Sequence, residues 1–386
     1  MTTRPSDRVF AATRRFLAWL GDAALPLWST TGVDRKGGGF IERLTPDGQR
    51  IDDVRRARLV ARQIFAFKAA GHLGWKGPVD MLVRHGLDVL LNRHLTPDNE
   101  VVPRFLPAEG RGEGAFDLYD QAFVLFGLAH GYAHTRDAKL EDTALAVLRR
   151  MREQWAQGEG GFVDCQTPKS PLKANPHMHL LEASLAWLRV SANATWRGLA
   201  AEVVELCRTR FVDPETGALH EFFDRDWKML VTPPDDVVEP GHQAEWAWLL
   251  LQWQTVEPAA AMEGLAARLL AIAEERGVDS RQHRLVNELN ADLSIRDDRL
   301  RLWPQTERIK ALVAFRELQP GRDLDERLTE AILALIGYFN HPVAGSWWEH
   351  FDSDGSPISE PARASSLYHI MGAATELASL TGLRLG

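Results

Sequence analysis

Residues 239–256, EPGHQAEWAWLLLQWQTV, hold the pattern that decides the fold. Two polar groups with chemical potential, His242 and Glu245, stand at the start of the segment, and apolar residues fill most of the rest. Gly241 is a helix-start signal, as are Pro176 and Pro304 at the openings of two comparable segments. A long connector, 212–240, precedes the helix, and the breaker Glu257-Pro258 follows it. The same layout returns in both directions along the chain. Apolar residues at three- and four-residue steps predict twelve helices, near 7–24, 53–72, 78–94, 117–134, 137–155, 176–192, 194–211, 241–256, 258–276, 303–319, 323–340 and 362–381.

Every second helix follows a long connector, near 25–52, 95–116, 157–174, 212–240, 277–302 and 341–361. Those helices start near 53, 117, 176, 241, 303 and 362, at intervals of 59 to 65 residues. Six such units are a repeat of helix pairs, each with one short and one long loop. An open superhelix and a closed ring both satisfy it. Six pairs suit closure, so the predicted fold is all-α, an (α/α)6 barrel with alternate helices lining the inside. The long loops then gather at one mouth, where sites usually sit. Three of those loops, 37–51, 217–230 and 345–358, carry hairpin-like text, with Asp47-Gly48 and Asp354-Gly355 as turn pairs. No Pro- or Ser-rich linker interrupts the chain, and residues 1–386 are expected to form one domain.

Composition narrows the function. The 45 Lys and Arg against 53 Asp and Glu give a net charge of −8, which removes a global basic footprint for nucleic acid. No apolar run approaches the ~20 residues of a membrane-spanning helix, and the N-terminal MTTRPSDRVF has no secretory apolar core. The only cysteines, Cys165 and Cys207, exclude a disulfide framework and a Cys-rich zinc site, and fit a reducing cytoplasm. Walker A, HExxH and Gly-x-Ser-x-Gly motifs are absent. Gly110-Arg111-Gly112-Glu113-Gly114 is Gly-rich but does not end a strand. Thirteen Trp against four Tyr is a set that packs cores and also lines sugar sites.

The polar residues with chemical potential recur near the starts of the same alternate helices. The first holds Arg62, within the apolar stretch Leu59-Val60-Ala61 and Ile64-Phe65. Its neighbours Arg55, Arg56 and Arg58 read as a solvated helix face. The second holds Tyr119 and Gln121, the third Asn175, His177, His179 and Glu182, and the fourth His242 and Glu245. The fifth holds Trp303 and Glu307, and the sixth Tyr368 and His369. His179 and Glu182, like His242 and Glu245, are three apart and share a helix face. A carboxylate one turn away holds an imidazole in one tautomer and raises its basicity. Two such histidines facing one cavity can move protons near neutral pH. A metal reading of His177-x-His179 needs partners from other helices, because residues two apart point to different sides.

These motifs resemble the N-acylglucosamine 2-epimerase superfamily. The resemblance rests on Asn175-Pro176-His177-Met178-His179 with Glu182-Ala183, Pro240-Gly241-His242 with Glu245-Trp246, Trp303-Pro304-Gln305 with Glu307 and Lys310-Ala311, and Ser366-Leu367-Tyr368-His369. It covers essentially the whole chain, and it implies an (α/α)6 barrel. The family contains N-acylglucosamine, cellobiose and mannose 2-epimerases and aldose–ketose isomerases, and this sequence looks most like bacterial mannose isomerases. The resemblance implies that His242 and His369 are the acid/base pair. It further implies that Arg62, Tyr119, Asn175, His179, Glu245, Trp303 and Glu307 bind substrate; from its spacing, Glu245 is expected to orient His242. The implied reaction interconverts D-mannose and D-fructose through a cis-enediol. A 2-epimerase, a mannose-6-phosphate isomerase, an (α/α)6 glycoside hydrolase and a non-catalytic sugar-binding protein are the alternatives. A phosphorylated sugar needs cations at the rim, for which Arg111, Lys169 and Lys173 are candidates. The expected partner is a monosaccharide, with no nucleic acid, no membrane, no metal and no cofactor. Monomer and homo-oligomer both fit.

Overall fold

The computed structural model describes residues 4–107, 112, 114–165, 167 and 170–385. Twelve helical rods run through it. The first is α1 (Asp7–Trp19), a π-helical turn (Leu20–Ala24) and α2 (Leu25–Thr30) end to end. It runs past the predicted end at 24 because the wider π-turn admits Pro26, which has no N–H to give. The others are α3 (Ala57–His72), α4 (Val79–Arg93), α5 (Leu118–Thr135), α6 (Lys139–Trp155), α7 (Ala174–Leu188), α8 (Ala194–Leu206), α9 (Pro240–Val256), α10 (Glu263–Arg276), α11 (Leu302–Leu318), α12 (Arg322–Gly337) and α13 (Ser366–Thr381).

Helices α3, α5, α7, α9, α11 and α13 contact one another in sequence, and α13 returns to α3, so the ring closes. Helices α1, α4, α6, α8, α10 and α12 pack outside them. This is the expected (α/α)6 barrel. The two rings differ as their surroundings require. The outer α6 buries one stripe, Leu140, Ala144, Val147, Leu148 and Met151, and turns Glu, Asp and Arg to solvent. Each large apolar side chain fully buried this way contributes about 1.5–3 kcal/mol. The inner α11 is surrounded, and every residue from Leu302 to Arg316 is buried. Its cations survive there by pairing, Arg308 with Glu274 at 2.5 Å and Arg316 with Asp325 at 2.9 Å.

The six long loops are tied to one another around the mouth. Antiparallel pairs join Arg55–Arg56 to Arg104–Phe105, Leu172–Lys173 to Phe222–Phe223, Val237–Val238 to the strand Arg284–Asn290, Leu300 to Phe351, and Arg43–Leu44 to Ala362–Arg363. The bridge Asp117–Cys165 closes the remaining gap. Each loop therefore touches the next in a complete collar of β-pairing. The hairpins predicted within 37–51, 217–230 and 345–358 form, with Gly48 and Gly355 at φ +84° and +87° in their turns. The longest hairpin, Arg284–Asn290 with Ile295–Arg301, lies in 277–302, where no strand was expected. Two register shifts interrupt it, and charged residues fill its second strand, so its text lacks a clean period of two.

The arginine run also departs from expectation. Helix α3 starts at Ala57 and not near 53, so Arg55 and Arg56 lie on a collar strand. Arg55 is buried against Asp34 at 2.8 Å, and is no solvated residue.

Candidate active site

Because the inner helices share one polarity, their N-termini meet at the collar. Tyr119 sits in the first turn of α5, Asn175 in that of α7, His242 in that of α9 and Trp303 in that of α11. His179 follows on α7, His369 occupies the first turn of α13, and Arg62 the second turn of α3. Together with Glu245, these predicted residues line one cleft of about 140 Å³, which Glu239, Arg301, Glu349, Arg363, Ser365 and Ser366 complete. The positive ends of six helices point toward it, which favours negative charge developing inside. Gly241 is what allows α9 to approach: a Cβ there would sit 2.6 Å from the Trp303 ring and 2.9 Å from Pro304.

Three histidines in the cleft are each tied to a buried carboxylate. His242 Nδ1 donates to Glu221 Oε1 at 2.9 Å, and Glu239 lies 3.8 Å away. His369 Nδ1 donates to Glu307 Oε1 at 2.8 Å. His179 Nδ1 donates to Glu182 Oε2 at 3.1 Å, and the Tyr368 hydroxyl donates to Glu182 as well. An ionised carboxylate only accepts, so each Nδ1 carries hydrogen and each Nε2 is left for other work.

The three titrate differently. Burial presses every one of them toward the neutral form. At His242 the carboxylates of Glu221 and Glu239 outweigh burial and hold the imidazole up at about 10. At His369 burial wins over Glu307 and brings it down to about 4. His179 is also brought down to about 4 by burial, against Glu182. At neutral pH the cleft therefore presents one imidazolium and two neutral imidazoles. The Trp303 ring lies between the two extremes, with centroids 4.9 Å from His242 and 5.6 Å from His369.

Two expectations are corrected. Glu245 does not orient His242: its two oxygens are buried without a hydrogen-bond partner among the described residues, and Glu221 holds that imidazole. The reason is direction, since Glu221 comes from the collar loop beside α9 and meets Nδ1. Burial and then the charge of Glu307 raise Glu245 well above the ordinary carboxylate range. Glu307 does not line the cleft. It is fully buried behind His369 and bridges it to Lys310 Nζ, 2.5 Å away. Burial would raise Glu307, but the Lys310 ammonium overrides it and pulls the group to about 2.

The remaining predicted residues are where the cleft needs polar contacts. Arg62 Nη2 donates to the Tyr119 hydroxyl at 2.6 Å, and its guanidinium lies 4.1 Å from the Phe123 ring centroid. Arg62 Nε and Asn175 Oδ1 are buried with no partner among the described residues, as groups that receive a ligand would be. His177 points away from the cleft, accepting from Phe162 N and contacting the Lys173 carbonyl. Gln121 lines a different depression. Arg111 and Lys169 lie outside the described residues, and Lys173 is not part of the cleft wall.

Among the described residues, three groupings bring candidate metal ligands within 4.8 Å of one another: His179, Glu182 and Glu245; Glu221, Glu239 and His242; Glu245, Glu307 and His369. In each, a carboxylate accepts from the imidazole Nδ1, which fixes the ring and leaves Nε2 for a proton or a ligand.

Glu221, Glu239 and Lys310 had no role in the sequence-based assignment. A signal for Glu221 exists. Glu42, Glu221 and Glu349 occupy matching places just before their hairpin strands, and their carbonyls accept Ala364 N, Ala174 N and Leu302 N at the inner-helix starts.

A model of the N-acylglucosamine 2-epimerase (GlcNAc 2-epimerase) family matches residues 39–373. The chain belongs to this family. A mannose-6-phosphate isomerase of Rhizobium meliloti (strain 1021) is 39% identical, over 93% of this chain and 95% of that one. A D-mannose isomerase of Thermobifida fusca is 26% identical over 75% of each. The crystal structure of a D-mannose isomerase superposes with a TM-score of 0.87 at 18% identity, over 98% of this chain and 100% of that one, and so shares the fold. As a family member the chain is an enzyme acting on carbohydrates, of the sugar isomerase and 2-epimerase class. Among the described residues, no helix is long and apolar enough to cross a membrane.

Proposed function

We propose that this family member interconverts D-mannose and D-fructose by proton transfer between C2 and C1. One observation carries the reading: two buried histidines flank Trp303, each fixed through Nδ1, and their neighbours drive them to opposite protonation states. Separated pKa values are how one site holds an acid and a base at the same pH. Neutral His369 is the base. Its Nε2 removes the C2 proton of open-chain mannose, while the His242 imidazolium protonates O1, giving a cis-enediol. His242 then takes the O2 proton as the C2 carbonyl forms, and His369 returns its proton to C1. The same imidazolium can protonate the ring oxygen during opening. Arg62 stabilises the charge on the developing enediolate. Asn175 and His179 hold hydroxyls, Tyr119 contacts the sugar, and Glu245 turns its unpartnered carboxyl to the cleft. Trp303 offers its face to the apolar side of the sugar.

The names of the two relatives support an aldose–ketose isomerase acting on mannose or its 6-phosphate. Proton NMR of the enzyme with mannose in heavy water tests the reading. Fructose with deuterium at C1 is the expected product. Glucose with deuterium at C2 would replace it with 2-epimerisation, in which both histidines act on C2 from opposite faces.

A further inference from the structure

The two catalytic imidazoles differ in what surrounds the bonded nitrogen. His242 Nδ1 donates to Glu221 Oε1 at 2.9 Å, and a second carboxylate, Glu239 Oε2, lies 3.8 Å from the same atom. His369 Nδ1 has one carboxylate in range among the described residues, Glu307 at 2.8 Å, and Lys310 Nζ stands 2.5 Å from that carboxylate. Glu239 is the N-cap of α9, yet its side chain makes no capping bond. It lines the cleft and is 22% exposed. A helix start favours a carboxylate through its dipole. That does not account for one set against other carboxylates. Burial raises the Glu239 carboxyl and so does Glu221, while His242 and Arg301 oppose them. On the collar hairpin, Glu288 is raised in turn by burial and by Glu239. Further along α9, Glu245 adds a smaller push on His242, and neutral His179 faces the same cleft. The imidazolium between Glu221 and Glu239 is what makes their approach tolerable.

The placement matters at one step. When His369 Nε2 takes the C2 proton, the C2–H electrons become the C1–C2 double bond, and the C1 carbonyl electrons move to O1. The intermediate then lies between two imidazoliums. On one path His242 protonates O1 and His369 returns its proton to C1. The double-bond electrons form C1–H, the O2 proton passes to His242, and the ketose results. On the other path His242 gives its proton to C2 from the opposite face. The electrons form C2–H, the C1 carbonyl reforms, and the 2-epimer results. Neither path needs an oxidant or a reductant. Oxygen accepts a proton from a weak acid readily, whereas carbon needs a stronger one. Two carboxylates at one nitrogen make His242 the weaker acid, held up at about 10 against about 4 for His369.

We propose that Glu239 is a positioning residue that fixes the product: by placing a second carboxylate at His242 Nδ1, it reserves the His242 proton for oxygen and leaves the return to carbon to His369. This rests on the isomerase reading for the roles of the two histidines, and it names the residue that holds 2-epimerisation closed.

The test follows initial product formation from mannose in heavy water by proton NMR, in the wild type, Glu239→Gln, Glu239→Asp and Glu288→Gln. Mannose 6-phosphate is run alongside, and the ratio is read on whichever sugar is converted. Circular dichroism reports the fold. In Glu239→Gln the ratio of glucose to fructose should rise at least about threefold, with deuterium at glucose C2 and no lag that would mark fructose as its source. The alkaline limb of kcat/KM should fall from about 10 by about one to three pH units. Glu239→Asp, which keeps the charge but withdraws it by one methylene, should lie between Gln and wild type on both readouts. Glu288→Gln leaves both carboxylates at Nδ1 and should match wild type. A Gln variant that makes fructose at the wild-type ratio overturns the role of Glu239, whether or not its limb moves. If Glu239→Gln is inert or unfolded, the ratio is read in Glu239→Asp, where it should still exceed wild type; an Asp variant that is also inert, or that keeps the wild-type ratio, overturns the role. A wild type that itself makes glucose, or converts neither sugar, sinks the isomerase reading and this role with it. Fructose from the wild type with an unchanged ratio in the variants sinks Glu239 alone.

Discussion

His242 and His369 begin as near-equivalents. Both sit in the first turn of an inner helix, both are buried, and both give Nδ1 to a glutamate. They end at opposite extremes, about 10 and about 4. The difference lies in the next group out. Behind His242 a second carboxylate, Glu239, joins Glu221, and negative charge accumulates. Behind His369 a single carboxylate, Glu307, stands against burial, and Arg62 and then Lys310, which shares that carboxylate, add positive charge that lowers the imidazole further. A histidine–glutamate pair is therefore not an acid or a base by itself; the charges around the pair decide whether burial is overcome.

The largest break in this comparison is deletion of either imidazole. His369→Ala should lower kcat by about 10³ or more and also abolish deuterium exchange at C2, with the fold intact by circular dichroism. His242→Ala should lower kcat by about 10²–10³ yet retain measurable exchange at C2, because the carbon base remains. A His369→Ala enzyme with near-normal rate would sink the assignment of roles.

Replacing a neighbouring charge comes next. Lys310→Met removes the cation from beside Glu307, which is then free to raise His369. The acid limb of kcat/KM should move upward from about 4, and the variant should lose about 3–5 kcal/mol of stability as buried carboxylates lose their counter-charge, read from urea titration. On the other side, Glu221→Gln should bring the alkaline limb below about 10 and reduce kcat about tenfold. A limb that stays in place in either variant would show that the replaced charge does not set the imidazole.

The smallest effects are in the pH dependence of the unaltered protein. Activity requires neutral His369 and charged His242, so kcat/KM should be flat between limbs near 4 and near 10. For stability the signs are opposite. His242 is raised from 6.5, so its contribution is fully present below 6.5 and is lost as pH climbs to about 10. His369 is lowered from 6.5, so the folded state pays as pH falls from 6.5 toward about 4, where the unfolded chain binds a proton and the folded one does not. Urea midpoints of His242→Gln and His369→Gln against wild type across that range should diverge on opposite sides of 6.5.

The amino-acid sequence alone determined the twelve helices, their pairing and the mouth at which they converge. Apolar periodicity and spacing near sixty residues are local and repeated, so they survive without coordinates. It also marked Arg62, Tyr119, Asn175, His179, His242, Glu245, Trp303 and His369, because each stands near the start of an inner helix, and all of them line the cleft. The hairpin at 284–301 escaped because its bulges and charges break the alternation that would announce it. What only the tertiary structure decided is which carboxylate meets which imidazole. Glu221 reaches His242 across 21 residues, Glu307 reaches His369 across 62, and Glu182 reaches Tyr368 across 186. Of the two carboxylates three residues from His242, Glu239 stands 3.8 Å from its Nδ1, and Glu245 has no hydrogen-bond partner among the described residues. Protonation state follows from burial and from charges within a few ångströms, and in a closed ring those neighbours come from helices and loops that the chain visits far apart.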